Sequence, residues 1–134
     1  MGLIIDSCVL VTLERHHAGI EGLLRDFASA EIGICAITAA ELFYGVVKAA
    51  TEERKIYREA FLDKVLGEMI VYPFDLGAAL IYGRLWPQLK QKGLAVGTHD
   101  LQIASTCISI GFSLLTENIR DFQKIQGLQV VPAK

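Results

Sequence analysis

Four acidic residues lie where predicted strands end or predicted helices begin, and their side chains could act together. Asp6 ends the apolar strand of LIIDSCVL, and Asp121 follows a strand end in LLTENIRDF. Glu41 lies near the start of the helix TAAELFYGVVKAA, and Asp100 lies in the first turn of an otherwise nearly apolar helix. Clustered carboxylates repel one another, and two that share a site cannot both ionise cheaply. A hard divalent cation such as Mg²⁺ or Mn²⁺, which prefers oxygen ligands, would relieve this repulsion.

The reaction that such a carboxylate cluster suits is the metal-dependent hydrolysis of a phosphodiester bond. Bound metal ions activate a water molecule, bridge the non-bridging phosphate oxygens and stabilise the leaving oxygen. The formal net charge of −2 argues weakly against a nucleic-acid partner, and a bound cation would offset it. Basic side chains that could line an RNA path, or could equally form a solvated face, are Arg84, Lys90, Lys92, Arg120 and Lys124, with Arg120 preferred because it adjoins Asp121.

Each acidic residue also has a purely structural interpretation when it is taken alone. Asp6 and Asp121 could cap the helices that follow them, and Asp100 could stabilise a helix N-terminus. Thr38 is predicted as an N-cap with Glu41 at the third helical position, which is a capping-box pattern. The functional interpretation therefore depends on the four acids as a set. The apolar stripe of the same helix, on the face opposite Glu41, is predicted to consist of Ala39, Leu42, Phe43, Val46 and Ala50.

The elements that must position these side chains alternate between strands and helices, which predicts an α/β fold with a mostly parallel sheet. In such sheets functional groups gather beyond the carboxyl ends of the strands. Asp6 ends the first strand and Thr116 ends the fourth, so both reach one edge if these strands are neighbours. The predicted strands are 2–6, 32–37, 69–74, 113–116 and 128–131, and the predicted helices are 8–16, 20–30, 38–50, 52–66, 75–93, 100–110 and a short turn at 121–125. Asp75 is predicted to cap the helix 75–93 and Gly93 to end it, and Thr98 is predicted to cap the helix 100–110.

The composition limits the chain to one domain with a single core. It has 134 residues, of which 52% are hydrophobic, so much surface is expected to be buried in the core or in an interface. The longest uncharged run, 101–116, is too polar to span a membrane, and no basic stretch precedes the N-terminal apolar run. The expected location is therefore the cytoplasm. Three widely spaced cysteines are expected to be reduced thiols.

Three stretches of the chain resemble the PIN-domain ribonucleases, and most closely the VapC-type toxins of bacterial toxin–antitoxin pairs. They are LIIDSCVL, AITAAELFYGV and GLAVGTHDLQIASTCISIGFSLLTENIRDFQKIQGLQV, in this order and spacing. The resemblance covers nearly the whole chain and is weakest over 50–70. It implies a single PIN-like domain over residues 1–134. It also implies a three-layer α/β/α sandwich around a mostly parallel five-stranded sheet.

The resemblance assigns roles to the residues of the acidic cluster. It implies that Asp6 and Asp100 are the residues most directly tied to Mg²⁺, with Mn²⁺ as an alternative. Glu41 and Asp121 would complete the catalytic pocket as further ligands, through water or at a second site. The remaining positions that it implies are Thr116 and Asn118, as a polar pair that supports the pocket or contacts the scissile phosphate; Arg120 stays the preferred RNA contact.

The activity implied by the resemblance is metal-dependent endonucleolytic cleavage of RNA by activated water. The implied partners are the RNA substrate, a second copy of the chain in a homodimer, and a small antitoxin that blocks the site. One position departs from the family, because Cys8 stands where Asn or Ser is usual, and a thiol is a poor hydrogen-bond donor and a weak ligand for Mg²⁺. Two alternatives stay open: a non-catalytic PIN-like module that binds protein or RNA, and a PIN nuclease of RNA processing outside toxin systems.

Overall fold

The structure is a computed structural model that describes residues 1–133, and these residues form one five-stranded sheet. Its strands are β1 (Gly2–Ile5), β2 (Glu31–Cys35), β3 (Ile70–Tyr72), β4 (Ser113–Thr116) and β5 (Val130–Pro132). The strand order is β3-β2-β1-β4-β5, and every neighbouring pair is parallel. The α/β fold with five strands is therefore confirmed, and the described sheet is parallel throughout.

The helices connect the strands and cover both faces of the sheet. They are α1 (Ser7–Arg15), α2 (Glu21–Asp26), α3 (Ala36–Val47), α4 (Glu52–Glu68), α5 (Leu76–Gln91), α6 (Thr98–Ile110) and α7 (Ile119–Phe122). None of the helices in the described part of the chain is long and apolar enough to cross a membrane.

Side chains of β1 alternate between two hydrophobic clusters, as the twofold period of a strand requires. Ile4 belongs to the cluster that contains Leu89 of α5 and Ile103 of α6. Leu3 and Ile5 belong to the second cluster, which includes buried residues of α1 and α4. One cluster lies on each face of the sheet, which gives the predicted three layers.

The pairing of β1 with β4 brings the two predicted strand-end residues together. Ile5 is in register with Leu115, and the Asp6 N–H donates to the Leu115 carbonyl at 2.9 Å. Asp6 and Thr116 therefore leave the sheet side by side. The chain proceeds from β1 to β2 on one side, whereas β4 lies on the other, and a parallel sheet opens a crevice where its strand order reverses in this way.

Two predicted helix caps are wrong, and the reason is the same for both. Helix α3 begins at Ala36, directly after β2, with Cys35 as its N-cap, so Thr38 lies inside the first turn and is fully buried. Helix α6 begins at Thr98 with Gly97 as its N-cap. In each case the preceding residue is extended and the helix starts at once, so the hydroxyl residue is already helical. The capping box of Thr38 and Glu41 does not form.

Other local predictions are confirmed or corrected by single residues. Asp75 caps α5, since its Oδ1 accepts from the Ala78 N–H at 3.0 Å, and Gly93 follows that helix with a φ of +68°. Asp121 does not cap a turn, because α7 begins at Ile119 and Asp121 is its third residue. Phe43, predicted in the apolar stripe of α3, is 53% exposed. The third strand has three residues and not six, and the helix predicted at 20–30 ends at residue 26.

Candidate active site

Asp6 both caps a helix and enters the site, so its structural and functional interpretations are compatible. It is the N-cap of α1, where its Oδ1 accepts from the Ser7 N–H at 2.9 Å. Its Oδ2 accepts from the Thr116 hydroxyl at 2.6 Å. Only 3% of Asp6 is exposed, so these donors replace much of the water that an isolated carboxylate would require.

Thr116 and Asn118 connect the two ends of the site through hydrogen bonds. The buried Thr116 Oγ1 donates to Asp6 and accepts from the Asn118 N–H at 2.9 Å, which fixes the direction of the hydroxyl. The Asn118 side-chain amide donates to Asp121 Oδ2 at 3.2 Å. The polar pair predicted from the sequence thus joins the strand-end carboxylate to the carboxylate on α7.

Cys8 takes part in the same network, which the sequence did not indicate. Its thiol donates to Asp6 Oδ2 at 3.2 Å, and its sulfur accepts from the Glu117 N–H at 3.5 Å. Burial raises the pKa of the Cys8 thiol, and its contacts with the Thr116 hydroxyl and the Glu117 N–H act in the opposite direction. A raised pKa keeps the thiol protonated at neutral pH and able to donate. Cys8 therefore supplies the donor that a polar residue would give at this position.

The role of Cys8 can be tested by comparing two substitutions. Cys8→Ala removes one donor to Asp6 and should lower the free energy of unfolding by about 1 kcal/mol, the usual contribution of one hydrogen bond. Cys8→Ser keeps a donor and should recover most of the loss. Urea unfolding of the three proteins gives the comparison. Equal losses in both variants would show that the sulfur contributes by packing alone.

Asp100 shows that the four acids form one cluster. It is the third residue of α6, and its pKa is raised to about 6, first by burial and then by repulsion from Asp6, Glu41 and Asp121, in that order. The neighbouring His99 acts in the opposite direction. The three other carboxylates that the sequence singled out are thus near enough to Asp100 to repel its charge.

Glu41 contributes an oxygen that has no hydrogen-bond partner among residues 1–133. Its Oε1 is buried and unpaired, whereas its Oε2 lies 3.6 Å from Nδ1 of His99. Buried polar atoms normally have a partner, and an orphaned acceptor marks a place where a ligand or an ordered water belongs. The Glu41 side chain as a whole is 34% exposed, whereas its Oε1 is buried.

Asp121 lies at the open side of the cluster and has a different environment. The hydrogen bond from Asn118, followed by that from Lys124 at 3.2 Å, lowers its pKa. Lys124 also donates to the Ala95 carbonyl at 3.2 Å, so it connects α7 to the loop before α6. Arg120, the preferred RNA contact, is exposed beside Asp121, but the basic residue that donates to Asp121 is Lys124.

The donor set fits a hard, hydrated divalent cation. Its candidate ligands are carboxylate oxygens, one of them buried and unpaired, and a cation would offset the repulsion that acts on Asp100. Within residues 1–133 no three Asp, Glu, His or Cys side chains form a preassembled cation cage. Mg²⁺ typically keeps several waters and uses one or two carboxylates, so it does not need such a cage.

The pKa of Asp100 predicts how the metal-free protein responds to pH. Because the folded-state pKa of about 6 exceeds the ordinary value of 3.8, the folded protein holds this proton more tightly than the unfolded chain. The resulting stabilisation is complete below pH 3.8 and is lost as the pH rises through 6. Thermal unfolding in EDTA between pH 4 and 7 should show this loss in wild type and not in Asp100→Asn. Parallel curves would contradict the prediction.

Comparisons with known proteins place the chain in a family. The PIN domain model matches residues 3–128. Ribonuclease VapC1 of Rickettsia felis is 36% identical over 98% of this chain and 96% of its own length, and a tRNA(fMet)-specific endonuclease VapC of Salmonella typhimurium is 33% identical over 72% of this chain and 70% of its own. The chain therefore belongs to the PIN-domain family, and within it to the VapC-type ribonucleases.

Solved structures agree with this placement. The VapBC2 complex of Rickettsia felis bound to a promoter DNA fragment contains a chain that covers all of this one and is itself fully covered, with a TM-score of 0.87 and 30% identity. A DNA-bound VapBC complex of Salmonella typhimurium gives a TM-score of 0.87 with 25% identity over 98% of both chains. The resemblance found in the sequence and the predicted fold are thus confirmed.

Proposed function

We propose that this chain is a divalent-metal-dependent endoribonuclease and the toxin of a type II toxin–antitoxin pair. The observation that carries the proposal is the hydrogen-bonded connection from Asp6 through Thr116 and Asn118 to Asp121, at the crevice where the strand order reverses. The unpaired Oε1 of Glu41 and the raised pKa of Asp100 support it. Carboxylates that repel one another raise the free energy of the folded state, and such a set is expected where a cation binds. The family and its named ribonucleases support an RNA substrate. In this proposal residues 1–134 form one domain.

In this proposal Asp6 and Asp100 would hold Mg²⁺, with Mn²⁺ as an alternative, and Glu41 and Asp121 would bind through water or at a second site. When bound, the cation would supply an activated water and neutralise charge on the scissile phosphate. Thr116 and Cys8 orient Asp6 by donating to its Oδ2. Asp6 therefore depends for its orientation on one donor from β4 and one from α1.

Asn118 and Lys124 have a separate task at the other end of the site. Both donate to Asp121, which lowers its pKa and keeps it ionised. An ionised Asp121 can accept a hydrogen bond from a water molecule in the site and so orient that water. Arg120 remains a proposed RNA contact on the exposed side of α7.

The proposal is tested by incubating the purified protein with a pool of tRNA and Mg²⁺. Wild type should cleave, EDTA should stop the reaction, and Asp6→Asn and Asp100→Asn should be inactive. Attack by water leaves no 2′,3′-cyclic phosphate, so analysis of the RNA termini separates this activity from a contaminating metal-independent ribonuclease. Equal cleavage by wild type and the two variants would rule out the assigned site.

The proposed partners are a small antitoxin and a second copy of the chain. A solved relative from Mycobacterium tuberculosis, VapBC-5, is a member of the VapBC family of toxin–antitoxin systems, which supports an antitoxin partner. Exposed apolar side chains on α3 and α5 offer surface for such contacts, among them Tyr44 (64% exposed), Val47 (61%), Leu76 (73%) and Leu80 (63%). The RNA substrate places the working protein in the cytoplasm in this proposal.

The non-catalytic alternative predicts a different response to metal. If the acids bound no cation, Mn²⁺ would leave the melting temperature of wild type unchanged. With a site, Mn²⁺ should raise it far more in wild type than in Asp100→Asn. A role in RNA processing outside toxin systems would be favoured by the lack of a small antitoxin gene next to this one.

A further inference from the structure

A cleft beside Asp121 has the composition of a site for single-stranded RNA. We propose that it binds a nucleotide next to the scissile phosphate, with the base stacked on Trp86 and a phosphate held by Lys90. This inference rests on the proposed function and extends it to a substrate subsite. The cleft has a volume of about 770 Å³ and runs between α5, the loop before α6 and α7. Its polar and aromatic lining includes Tyr82, Trp86, Lys90, Asp121 and Lys124.

Trp86 is a stacking surface held in place by its neighbours. Its ring centroid lies 5.7 Å from that of Tyr82 at an interplanar angle of 75°, and Tyr82 in turn meets Phe74 at 5.8 Å and 85°. Edge-to-face contacts of this kind are favourable and fix ring orientation. The indole is nevertheless 52% exposed, which leaves apolar area uncovered in the described part of the chain. A preoriented, exposed indole suits a nucleobase, because every base has a face that stacks.

The two lysines of the cleft, Lys90 and Lys124, suit an RNA strand that runs from the cleft to the acidic cluster. Lys90 Nζ lies over the Trp86 ring, 5.7 Å from its centroid, and the exposed Lys90 side chain would have to move aside for a base to stack on that face. Lys124 is fixed differently, through its bonds to Ala95 and Asp121. A base that stacks on Trp86 would bring its own phosphate close to Lys90. Since Asp121 belongs to both the cleft and the cluster, the next phosphate would reach the carboxylates.

A protein segment is the other occupant to consider for this cleft. Its cations and its continuity with the acidic cluster through Asp121 favour RNA, since an apolar peptide would gain nothing from Lys90 beside the ring. The distinction can be tested, because RNA and a protein segment predict different responses of Trp86 to an RNA probe.

The chain contains one tryptophan, so its intrinsic fluorescence reports on this cleft alone. A random-sequence 12-nucleotide single-stranded RNA, added in EDTA to prevent cleavage, should quench Trp86 fluorescence. Trp86→Ala should bind a labelled form of this RNA roughly 5- to 150-fold more weakly, the range that loss of one stacked base produces. Trp86→Phe, which keeps an aromatic face, should bind with intermediate affinity. Ile56→Ala, at an exposed residue of α4 outside the cleft, is the matched control and should bind like wild type.

The contribution of Lys90 has its own signature. Lys90→Gln should reduce the slope of log affinity against log salt concentration by about 0.7, as expected for one phosphate contact to a single strand. Melting temperatures show which variants are folded. If Trp86→Ala does not fold, two other measurements show whether the cleft binds RNA. They are the quenching of Trp86 fluorescence in wild type and the salt dependence of RNA affinity in Lys90→Gln.

Each outcome either supports or overturns the inference. Unquenched Trp86, with RNA bound equally by wild type and Trp86→Ala, would overturn it and would indicate a protein partner for the cleft. If Mg²⁺-dependent cleavage persisted in that case, the proposed nuclease function would stand without this subsite. Quenching by RNA without cleavage by wild type would instead support the cleft and overturn the nuclease proposal.

Discussion

Asp100→Asn is expected to abolish RNA cleavage and, in metal-free protein, to raise the melting temperature. The pKa of Asp100 is raised by burial and by three neighbouring carboxylates, so its charge destabilises the folded protein at neutral pH. An amide has nearly the same shape and removes this repulsion. The same change removes a proposed cation ligand, and the rate of cleavage should fall by at least ~100-fold. Replacing a residue that only supports a metal ligand already lowers metal affinity or activity by roughly 10- to 100-fold.

Asp6→Asn is the matched comparison, because it should lose cleavage equally but change stability in the opposite direction. Asp6 accepts hydrogen bonds from Ser7, Cys8 and Thr116, and an amide cannot accept all of them. Its melting temperature should therefore fall. Differential scanning calorimetry in EDTA, together with the tRNA cleavage assay, measures both effects. If both variants lost stability, the repulsion attributed to the cluster would be absent.

Adding Mn²⁺ to these proteins separates binding of the cation from folding. A ligand that binds only the folded state stabilises it according to its concentration and affinity. Mn²⁺ should therefore raise the melting temperature of wild type and have little effect on Asp100→Asn. A large rise in both would mean that the cation binds elsewhere.

The positions of the strand-end residues could be predicted from sequence because they follow from simple rules. Asp6 and Thr116 each end an apolar run, and a parallel α/β sheet places the ends of neighbouring strands at one edge. Asp100 could be recognised as a charge at the start of a nearly apolar helix. These interpretations required only local pattern and topology. The repulsion that Asp6, Glu41 and Asp121 exert on Asp100 agrees with the predicted acidic set, and their roles as ligands and in catalysis remain a proposal.

The start of α3 could not be predicted from its local pattern. Thr38 and Glu41 have the spacing of a capping box, but β2 delivers the chain to α3 at Cys35, three residues earlier. Thr38 is consequently buried, with no partner for its hydroxyl among the described residues. Glu41 moves from a capping position to the sixth residue of the helix, where it can reach the cluster. Here the tertiary connection determined the helix start.

The role of Cys8 depended on contacts that are distant in sequence. Its neighbours Thr116 and Glu117 lie more than 100 positions along the chain, and the pairing of β1 with β4 brings them together. The sequence comparison with the family marked the position as a departure. Only the structure shows that the thiol donates to Asp6, so the departure gives no support to a non-catalytic interpretation.

Thr116→Val is expected to be the most destabilising substitution in the supporting network. Valine has nearly the same shape as threonine but cannot donate to the Asp6 carboxylate, which is 3% exposed, or accept from Asn118. The loss of a hydrogen bond to a charged group, with both partners left in place, should lower the free energy of unfolding by about 2–3 kcal/mol. Cleavage should also fall by roughly 10- to 100-fold, because Asp6 loses the donor that orients it.

Two further substitutions distinguish the loss of the hydrogen bond to Asp6 from the general cost of placing valine at a buried threonine. Thr116→Ser keeps the hydroxyl and should recover most of the cleavage, with a smaller loss of stability from the missing methyl group. Thr106→Val alters another buried threonine, whose hydroxyl donates only to the Gln102 carbonyl within α6. Its effect on stability should be much smaller, because that carbonyl is also part of the hydrogen-bond ladder of the helix. Urea unfolding and initial cleavage rates of the three variants give the comparison. If Thr106→Val lowered stability and cleavage as much as Thr116→Val, both effects would come from burying valine in place of threonine and not from the lost contact with Asp6.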